Sequence, residues 1–136
     1  MIYMDANVFI NAAVGLGELG KTCRNILDLV ENKNGIVSTS ALTFDEVLWK
    51  LRNFMGYAEA IKSVRATMEL PIHIIQINAN TIYEALNIAE NFKLKPRDAI
   101  HASCMFQENI SQICSTDSDF DVLNYIERIH PDKLKL

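Results

Sequence analysis

The chain has 136 residues and a net charge of −4, with 49% hydrophobic and 22% charged residues. This length and composition are typical of one globular domain, so we expect a single domain over residues 1–136. No stretch approaches the roughly 18 consecutive apolar residues of a membrane span, and we therefore expect no membrane partner. The acidic balance argues against nucleic-acid binding through a broad basic surface, although local basic groups can still hold phosphates.

The N-terminal segment and the cysteines both indicate a cytoplasmic protein. The first ten residues, MIYMDANVFI, contain an acid at Asp5 and no basic leader, which is not typical of a signal peptide. The three cysteines, Cys23, Cys104 and Cys114, are far apart and match no zinc-site spacing. Scattered cysteines in an odd number are typical of buried thiols in a reducing cytosol.

Strands and helices alternate in the first half of the chain. The predicted elements are strand 2–4, helix 18–32, strand 36–38, helix 40–55 and helix 57–69. Gly35 is expected to supply a left-handed cap after the first of these helices. Gly56 interrupts the long amphipathic stretch that begins at Ser40, and Pro71 marks the end of the following helix.

The second half continues the alternation. The predicted elements are strand 72–77, helix 79–91, helix 96–108, strand 112–115 and strand 125–129. This order predicts an α/β fold with a mostly parallel sheet covered by helices on both faces. Binding sites in such sheets form at the carboxyl ends of the strands. Asp5 and Asp117 each follow a predicted strand at that edge.

Four acids are candidates for a divalent-metal site at this edge. They are Asp5, Glu46, Asp98 and Asp117. Carboxylates that converge on one crevice repel each other, and a divalent cation is their natural compensation. Mg²⁺ prefers oxygen ligands and keeps several waters. Such a metal can activate water and stabilise the charge that develops on a phosphodiester, so hydrolysis of that bond is the expected chemistry.

Three of these acids also have a structural interpretation. Asp5 is placed to cap the short helix that follows it. Asp98 lies in the first turn of a helix that begins near Pro96, where the helix dipole favours an acid in any protein. Asp117, in the sequence STDSDFD, is typical of an Asx-turn after a strand.

Glu46 has a structural alternative of a different kind. Thr43 and Glu46 match the spacing of a capping box, which would place the start of the helix at Thr43. The residues Ser38, Thr39 and Ser40 offer an earlier start, and Glu46 would then lie inside the first two turns. Asp45, next in sequence, points about 100° away around the helix and is expected to be solvated.

Four further residues are secondary candidates. Asp119 is the alternative to Asp117 as a ligand, and Asn7 is either a helix cap or a group that orients a metal-bound water. His101 lies one turn beyond Asp98, where we expect a packing or supporting role rather than metal ligation. Arg97 is a candidate phosphate contact, although we favour a solvated residue at a helix start.

Four segments, taken in order, resemble the PIN-domain family, particularly the VapC-type toxin ribonucleases of prokaryotic toxin–antitoxin pairs. The segments are MDANVFI at 4–10, TFDEVLW at 43–49, KPRDAIHAS at 95–103 and ICSTDSDF at 113–120. The resemblance spans essentially the whole chain. It implies that Asp5, Glu46, Asp98 and Asp117 bind metal and catalyse cleavage, and that Asn7 and Thr116 support them. The second acid of the last segment, Asp119, is a candidate extra ligand.

The resemblance also implies a fold, a cofactor and partners. These are a parallel sheet of about five strands, Mg²⁺ or Mn²⁺, single-stranded RNA as the substrate, a homodimer and a cognate antitoxin whose tail enters the groove. The alternatives are a PIN-fold nuclease of RNA processing and a non-catalytic module that binds RNA or protein. A phosphatase that uses an aspartyl nucleophile is disfavoured, because Asn7 occupies the position of the second acid of that motif.

Overall fold

The computed structural model describes residues 1–136 as one parallel five-stranded sheet with helices on both faces. The first five elements are β1 (Ile2–Met4), α1 (Ala6–Val14), α2 (Glu18–Asn32), β2 (Val37–Ser40) and α3 (Ala41–Met68). The remaining strands and α-helices are β3 (His73–Ile75), α4 (Ala79–Phe92), α5 (Pro96–Gln107), β4 (Gln112–Cys114) and β5 (Glu127–Ile129). Short 3₁₀ helices follow β4 and β5, over Ser118–Val122 and Pro131–Lys133. The predicted α/β fold is confirmed.

The sheet divides the core into two layers because successive side chains of a strand point to opposite faces. On the central strand β1, Ile2 and Met4 pack with residues of α1, α2 and α3. Tyr3, between them, packs on the other face with residues of α4 and α5. All three side chains are buried, and this explains why the strand is apolar without alternation.

The strand order is β3-β2-β1-β4-β5, and every neighbouring pair is parallel. The chain moves outward from β1 on one side through β2 and β3, then returns to build β4 and β5 on the other. The connections therefore diverge at the carboxyl ends of β1 and β4. In open parallel sheets this divergence creates the crevice in which ligands bind.

The structure changes some of the predicted element boundaries. Helices 40–55 and 57–69 are one element, α3, which bends where Gly56 adopts φ +77° and ψ 168°. Gly35 has the expected left-handed conformation, with φ +77°, but it is not the helix cap. Residue Lys33 caps α2, and Gly35 lies in the turn beyond it. The strand predicted over 72–77 is shorter, because only His73–Ile75 pairs with β2.

The three cysteines are buried and free. None of the helices combines the length and the apolar character that a bilayer crossing requires.

The α1–α2 connection depends on a close approach between Gly15 and Gly20. A Cβ atom added at Gly20 would lie 2.2 Å from the carbonyl oxygen of Gly15. We expect Gly20→Ala to lower the free energy of unfolding by about 1–3 kcal/mol, because backbone atoms would have to separate. Gly17→Ala is the control, since nothing lies within 4 Å of a Cβ built at Gly17. Urea denaturation measures both, and equal stabilities would contradict the close-packing explanation.

Candidate metal centre

Asp5 stands at the carboxyl end of β1 and begins α1. Its Oδ1 accepts a hydrogen bond from the backbone N–H of Ala6 at 2.7 Å. Its Oδ2 accepts from the hydroxyl of Ser115 at 2.6 Å and from the side-chain amide of Asn7 at 2.8 Å. Burial raises the pKa of Asp5, the nearby Glu46 carboxylate adds to this effect, and the hydrogen-bond donors oppose it. Asp5 is therefore both the expected helix cap and a buried carboxylate at the sheet edge.

Ser115, the residue after β4, connects the two strand ends. Besides donating to Asp5, its Oγ accepts from the Asn7 amide at 3.1 Å and from the backbone N–H of Asp117 at 2.9 Å. Thr116, which the resemblance indicated as a supporting residue, contributes its backbone N–H to Asn7 Oδ1 at 3.2 Å. Sequence reasoning did not single out Ser115. The predicted strand 112–115 included Ser115, whereas β4 ends at Cys114, so the rule that identified Asp5, a polar residue directly after a buried strand, applies to Ser115 only with the observed boundary.

Three aspartates form the most compact acidic group. Carboxylate oxygens of Asp98, Asp117 and Asp119 all lie within 4.8 Å of one another. Asp98 comes from the first turn of α5, while Asp117 caps the 3₁₀ turn and accepts from the backbone N–H of Asp119 at 2.9 Å. Lys95 approaches Asp119 at 3.2 Å. The structure thus brings Asp119, the alternative candidate, to the same place as Asp117.

The pKa of Asp98 is raised by burial and by the charges of the acids around it. Burial raises it from 3.8 to about 6, with further contributions from the charges of Asp117, Asp5 and Asp119, whereas His101 lowers it. A carboxylate raises the pKa of another only when the two are close enough to repel through protein. Asp5 and Asp119 therefore act on the same crevice as Asp98 and Asp117.

Glu46 reaches the crevice from the second turn of α3 and contacts His101. Its Oε1 accepts a hydrogen bond from His101 Nε2, and the His101 side chain is completely buried. Burial opposes charging of this imidazole, but the contact with Glu46 and the charges of Asp5 and Asp98 prevail, so the pKa of His101 is raised. The sequence placed His101 near the crevice as a supporting residue, but it did not indicate which acid His101 contacts.

The capping-box alternative for Glu46 is not what the structure shows. Helix α3 begins at Ala41, with Ser40 at the N-cap position. Thr43 is buried, and its hydroxyl is 2.7 Å from that of Thr39. Glu46 is thus free of a capping role and turns toward the crevice, while Asp45 is exposed, as the sequence predicted.

The crevice opens to solvent as a pocket of about 570 Å³. Its lining residues are Glu46, Lys95, Pro96, Arg97, Asp98 and Asp117. Acids thus share the pocket with two exposed basic side chains, of which the sequence indicated Arg97 and missed Lys95. The carboxylates can bind a cation, and the lysine and arginine can bind an anion. The pocket therefore has binding groups for both a metal ion and a phosphodiester.

A divalent ion fits this set of donors. Carboxylates from α3, α5 and the segment after β4 line the pocket, and the buried cysteine thiols play no part in it. Asp5, buried at the end of β1, does not line the pocket, but its charge contributes to the raised pKa of Asp98. Hard oxygen donors without thiolates favour Mg²⁺ or Mn²⁺ over soft-ligand metals. Burial is the main cause of the raised pKa values of Asp5 and Asp98, and neighbouring carboxylates add to it, so a cation would offset an unfavourable negative charge.

Comparisons with known proteins identify the family. A family model described as the PIN domain matches residues 2–124. The chain therefore belongs to the PIN-domain family. It is 25% identical to ribonuclease VapC2 of Methanocaldococcus jannaschii over 142 residues, which cover 94% of this chain and 92% of that protein.

Solved structures of VapC proteins share the fold. VapC20 of Mycobacterium tuberculosis, described as a toxin that cleaves the sarcin–ricin loop, has a TM-score of 0.77 at 15% identity and covers 93% of this chain and 98% of its own. VapBC2 of Rickettsia felis, bound to DNA from its promoter, has a TM-score of 0.73 at 15% identity, with coverage of 96% and 98%. The expected resemblance to VapC-type PIN domains is thus confirmed at the level of family and fold.

The raised pKa of Asp98 makes a prediction about stability in the absence of metal. Because the pKa is about 6 in the folded chain against 3.8 ordinarily, the folded state binds this proton more tightly. The resulting stabilisation is fully present below pH 3.8 and is lost as the pH rises through 6. Between pH 5 and 7.5 in chelator, the free energy of unfolding of wild type should fall by about 1 kcal/mol relative to that of Asp98→Asn. This value allows for solvent screening, because Asp98 is half-exposed.

Urea denaturation at each pH measures this difference, and Asp45→Asn is the matched control. Asp45 is exposed on α3, so its variant should follow wild type across the range. The same pH dependence in wild type and Asp98→Asn would mean that the pKa of Asp98 is not raised in the folded chain.

Proposed function

We propose that this protein is a divalent-metal-dependent endoribonuclease that hydrolyses phosphodiester bonds of single-stranded RNA. We further propose that it acts in the cytoplasm as the toxin of a toxin–antitoxin pair. The observation that carries the proposal is the convergence of Glu46, Asp98 and Asp117 on one pocket of a PIN domain, with Lys95 and Arg97 in the same pocket. The buried carboxylate of Asp5 adds to the negative charge that acts on Asp98. The similarity to a protein named ribonuclease VapC2 over nearly the whole chain supports the activity.

The carboxylates would hold Mg²⁺ or Mn²⁺. Asp5, Glu46, Asp98 and Asp117 are the proposed ligands, with Asp119 as a further candidate. When bound, the ion supplies an activated water and stabilises the negative charge of the transition state. Proximity to Asp98 and Asp117 supports a role for Asp119, whereas its ion pair with Lys95 competes with that role.

The chain itself supplies orientation and phosphate binding. Ser115 and Asn7 each donate a hydrogen bond to Asp5 and are hydrogen-bonded to each other, so this carboxylate does not have to reorganise when substrate arrives. Lys95 and Arg97 line the pocket beside Asp98, where each can bind a non-bridging phosphate oxygen. The scissile phosphate would thus lie between basic side chains and the acids.

The proposed partners are a cognate antitoxin and a second copy of the chain. Structures similar in fold include a toxin–antitoxin complex from Klebsiella pneumoniae, at a TM-score of 0.70 and 16% identity, with coverage of 98% of this chain and 100% of that one. Exposed apolar side chains on α4 and α5, among them Tyr83, Leu86 and Phe106, support association with another chain.

Removal of any one proposed ligand should lower turnover by about two or more orders of magnitude, because no other group replaces a lost carboxylate. The variants are Asp5→Asn, Glu46→Gln, Asp98→Asn and Asp117→Asn, assayed on single-stranded RNA with Mg²⁺ or Mn²⁺. A double variant should be little worse than the poorer single variant, since the ligands act as a unit. Asp45→Asn, next to Glu46 but exposed, should retain full activity.

Two outcomes of this experiment separate the competing functions. Cleavage that persists in chelator, or that survives all four changes, would exclude the metal-dependent nuclease and favour a binding module. Loss of activity in Asp119→Asn with an active Asp117→Asn would transfer the ligand role to Asp119. Growth arrest on expression, relieved by a co-expressed partner, distinguishes a toxin from an RNA-processing nuclease.

Lys95 and Arg97 should act mainly on substrate binding. We expect Arg97→Gln and Lys95→Gln each to raise KM about tenfold and to weaken the salt dependence of RNA binding, because each removes one phosphate contact. Lys21→Gln is the control, since Lys21 is exposed on α2, away from the pocket. Fluorescence anisotropy with a short RNA at several salt concentrations measures the effect. A salt dependence identical to that of wild type would remove these residues from the RNA site.

A further inference from the structure

Glu46 differs from the aspartates of the pocket in the way that it is held. The aspartates have short side chains, and two of them accept hydrogen bonds from nearby backbone N–H groups. Glu46 has one more rotatable bond and instead contacts a buried imidazole, His101, whose other nitrogen lies 2.6 Å from the Tyr3 hydroxyl. Tyr3 and His101 are both completely buried, whereas 20% of the Glu46 side chain is exposed.

The direction of these hydrogen bonds follows from the backbone. The N–H of Ser40 donates to the Tyr3 hydroxyl oxygen at 3.1 Å, which leaves the hydroxyl proton available for His101 Nδ1. A tyrosine hydroxyl keeps its proton at neutral pH. When this proton is donated to Nδ1 of a neutral His101, Nε2 carries the ring proton toward Glu46.

The opposite neutral tautomer would place a bare Nε2 lone pair against a carboxylate. The imidazolium form also carries a proton on Nε2. The donation from His101 to Glu46 is thus the same in the imidazolium and in the neutral Nε2–H tautomer, and the Tyr3 hydroxyl favours that neutral tautomer when it donates to Nδ1.

We propose that Tyr3 and His101 are positioning residues that fix Oε1 of Glu46 and so leave its second oxygen for the divalent ion. This inference rests on the proposed function, in which Glu46 is a ligand. Fixing a long, flexible side chain before binding removes part of the conformational entropy that the ion would otherwise have to overcome. Groups that orient a metal ligand in this way typically change metal affinity or activity by about 10- to 100-fold when they are removed.

Two variants at His101 separate positioning from packing. The amide nitrogen of Gln lies near the position of Nε2 and that of Asn near the position of Nδ1. His101→Gln can therefore still donate to Glu46, whereas His101→Asn reaches only toward Tyr3. Both variants place a polar amide in the same buried space. If His101 acted only in packing, the two variants would therefore change Mn²⁺ binding to a similar extent.

Calorimetric titration of Mn²⁺ into the purified full chain is the first measurement. We expect His101→Asn to weaken Mn²⁺ binding about 10- to 100-fold and to lower kcat more than it raises KM. His101→Gln should recover most of the affinity. The Mn²⁺ affinity of Tyr3→Phe should lie between those of His101→Asn and His101→Gln. The imidazole remains in this variant, but the Tyr3 hydroxyl no longer favours one tautomer. Thermal melts in chelator establish that each variant is folded.

The outcomes distinguish this inference from the proposed function. Failure of wild type to bind Mn²⁺ would contradict the metal site itself. Mn²⁺ binding by wild type that is unchanged in His101→Asn, or weakened equally in the Asn and Gln variants, would overturn the positioning role and leave the metal site standing. Should the His101 variants fail to fold, ¹⁵N spectra of the wild-type histidines decide. A proton on Nε2 of His101 supports the proposal, and a neutral ring with its proton on Nδ1 overturns it.

Discussion

Repulsion between carboxylates at one sheet edge is the constraint on which the other features of this molecule depend. The parallel sheet brings the ends of β1 and β4 together, and the charges of Asp5 and Asp117 act there on the half-buried Asp98. The pKa of Asp98 is raised to about 6, chiefly by burial and then by these neighbours, which means that its charged form is disfavoured in the folded chain. A site that is unfavourable when empty and fully charged is well suited to a divalent cation, which restores electrical balance and gains oxygen ligands.

The surrounding polar groups hold the acids against this repulsion. Ser115 contacts both Asp5 and the backbone of Asp117, so one hydroxyl joins the segments after the two central strands. His101 contacts buried Tyr3 through Nδ1 and Glu46 through Nε2. The hydrophobic core therefore does more than stabilise the fold, because a residue of the central strand takes part in the hydrogen bonds that reach the pocket.

Sequence reasoning could predict those parts of the site that follow from local pattern. The apolar run before Asp5 and the helix start at Pro96 placed two acids correctly, since strand ends and helix starts have local signals. It could not predict the contact between Tyr3 and His101, which are 98 residues apart and meet only because α5 packs on β1. The family resemblance indicated which acids to expect as metal ligands, but the compact grouping of Asp119 with Asp98 depends on the 3₁₀ turn after β4.

The most direct test of the central claim is a crystal structure of the protein soaked in Mn²⁺, with anomalous diffraction used to locate the metal. The account predicts one or more anomalous peaks in the pocket, within about 2.0–2.3 Å of carboxylate oxygens that include those of Asp98 and Asp117. A pocket open to solvent in the crystal but without a peak, at a Mn²⁺ concentration that supports RNA cleavage, would contradict it. A peak elsewhere on the surface, with the acids empty, would contradict it equally.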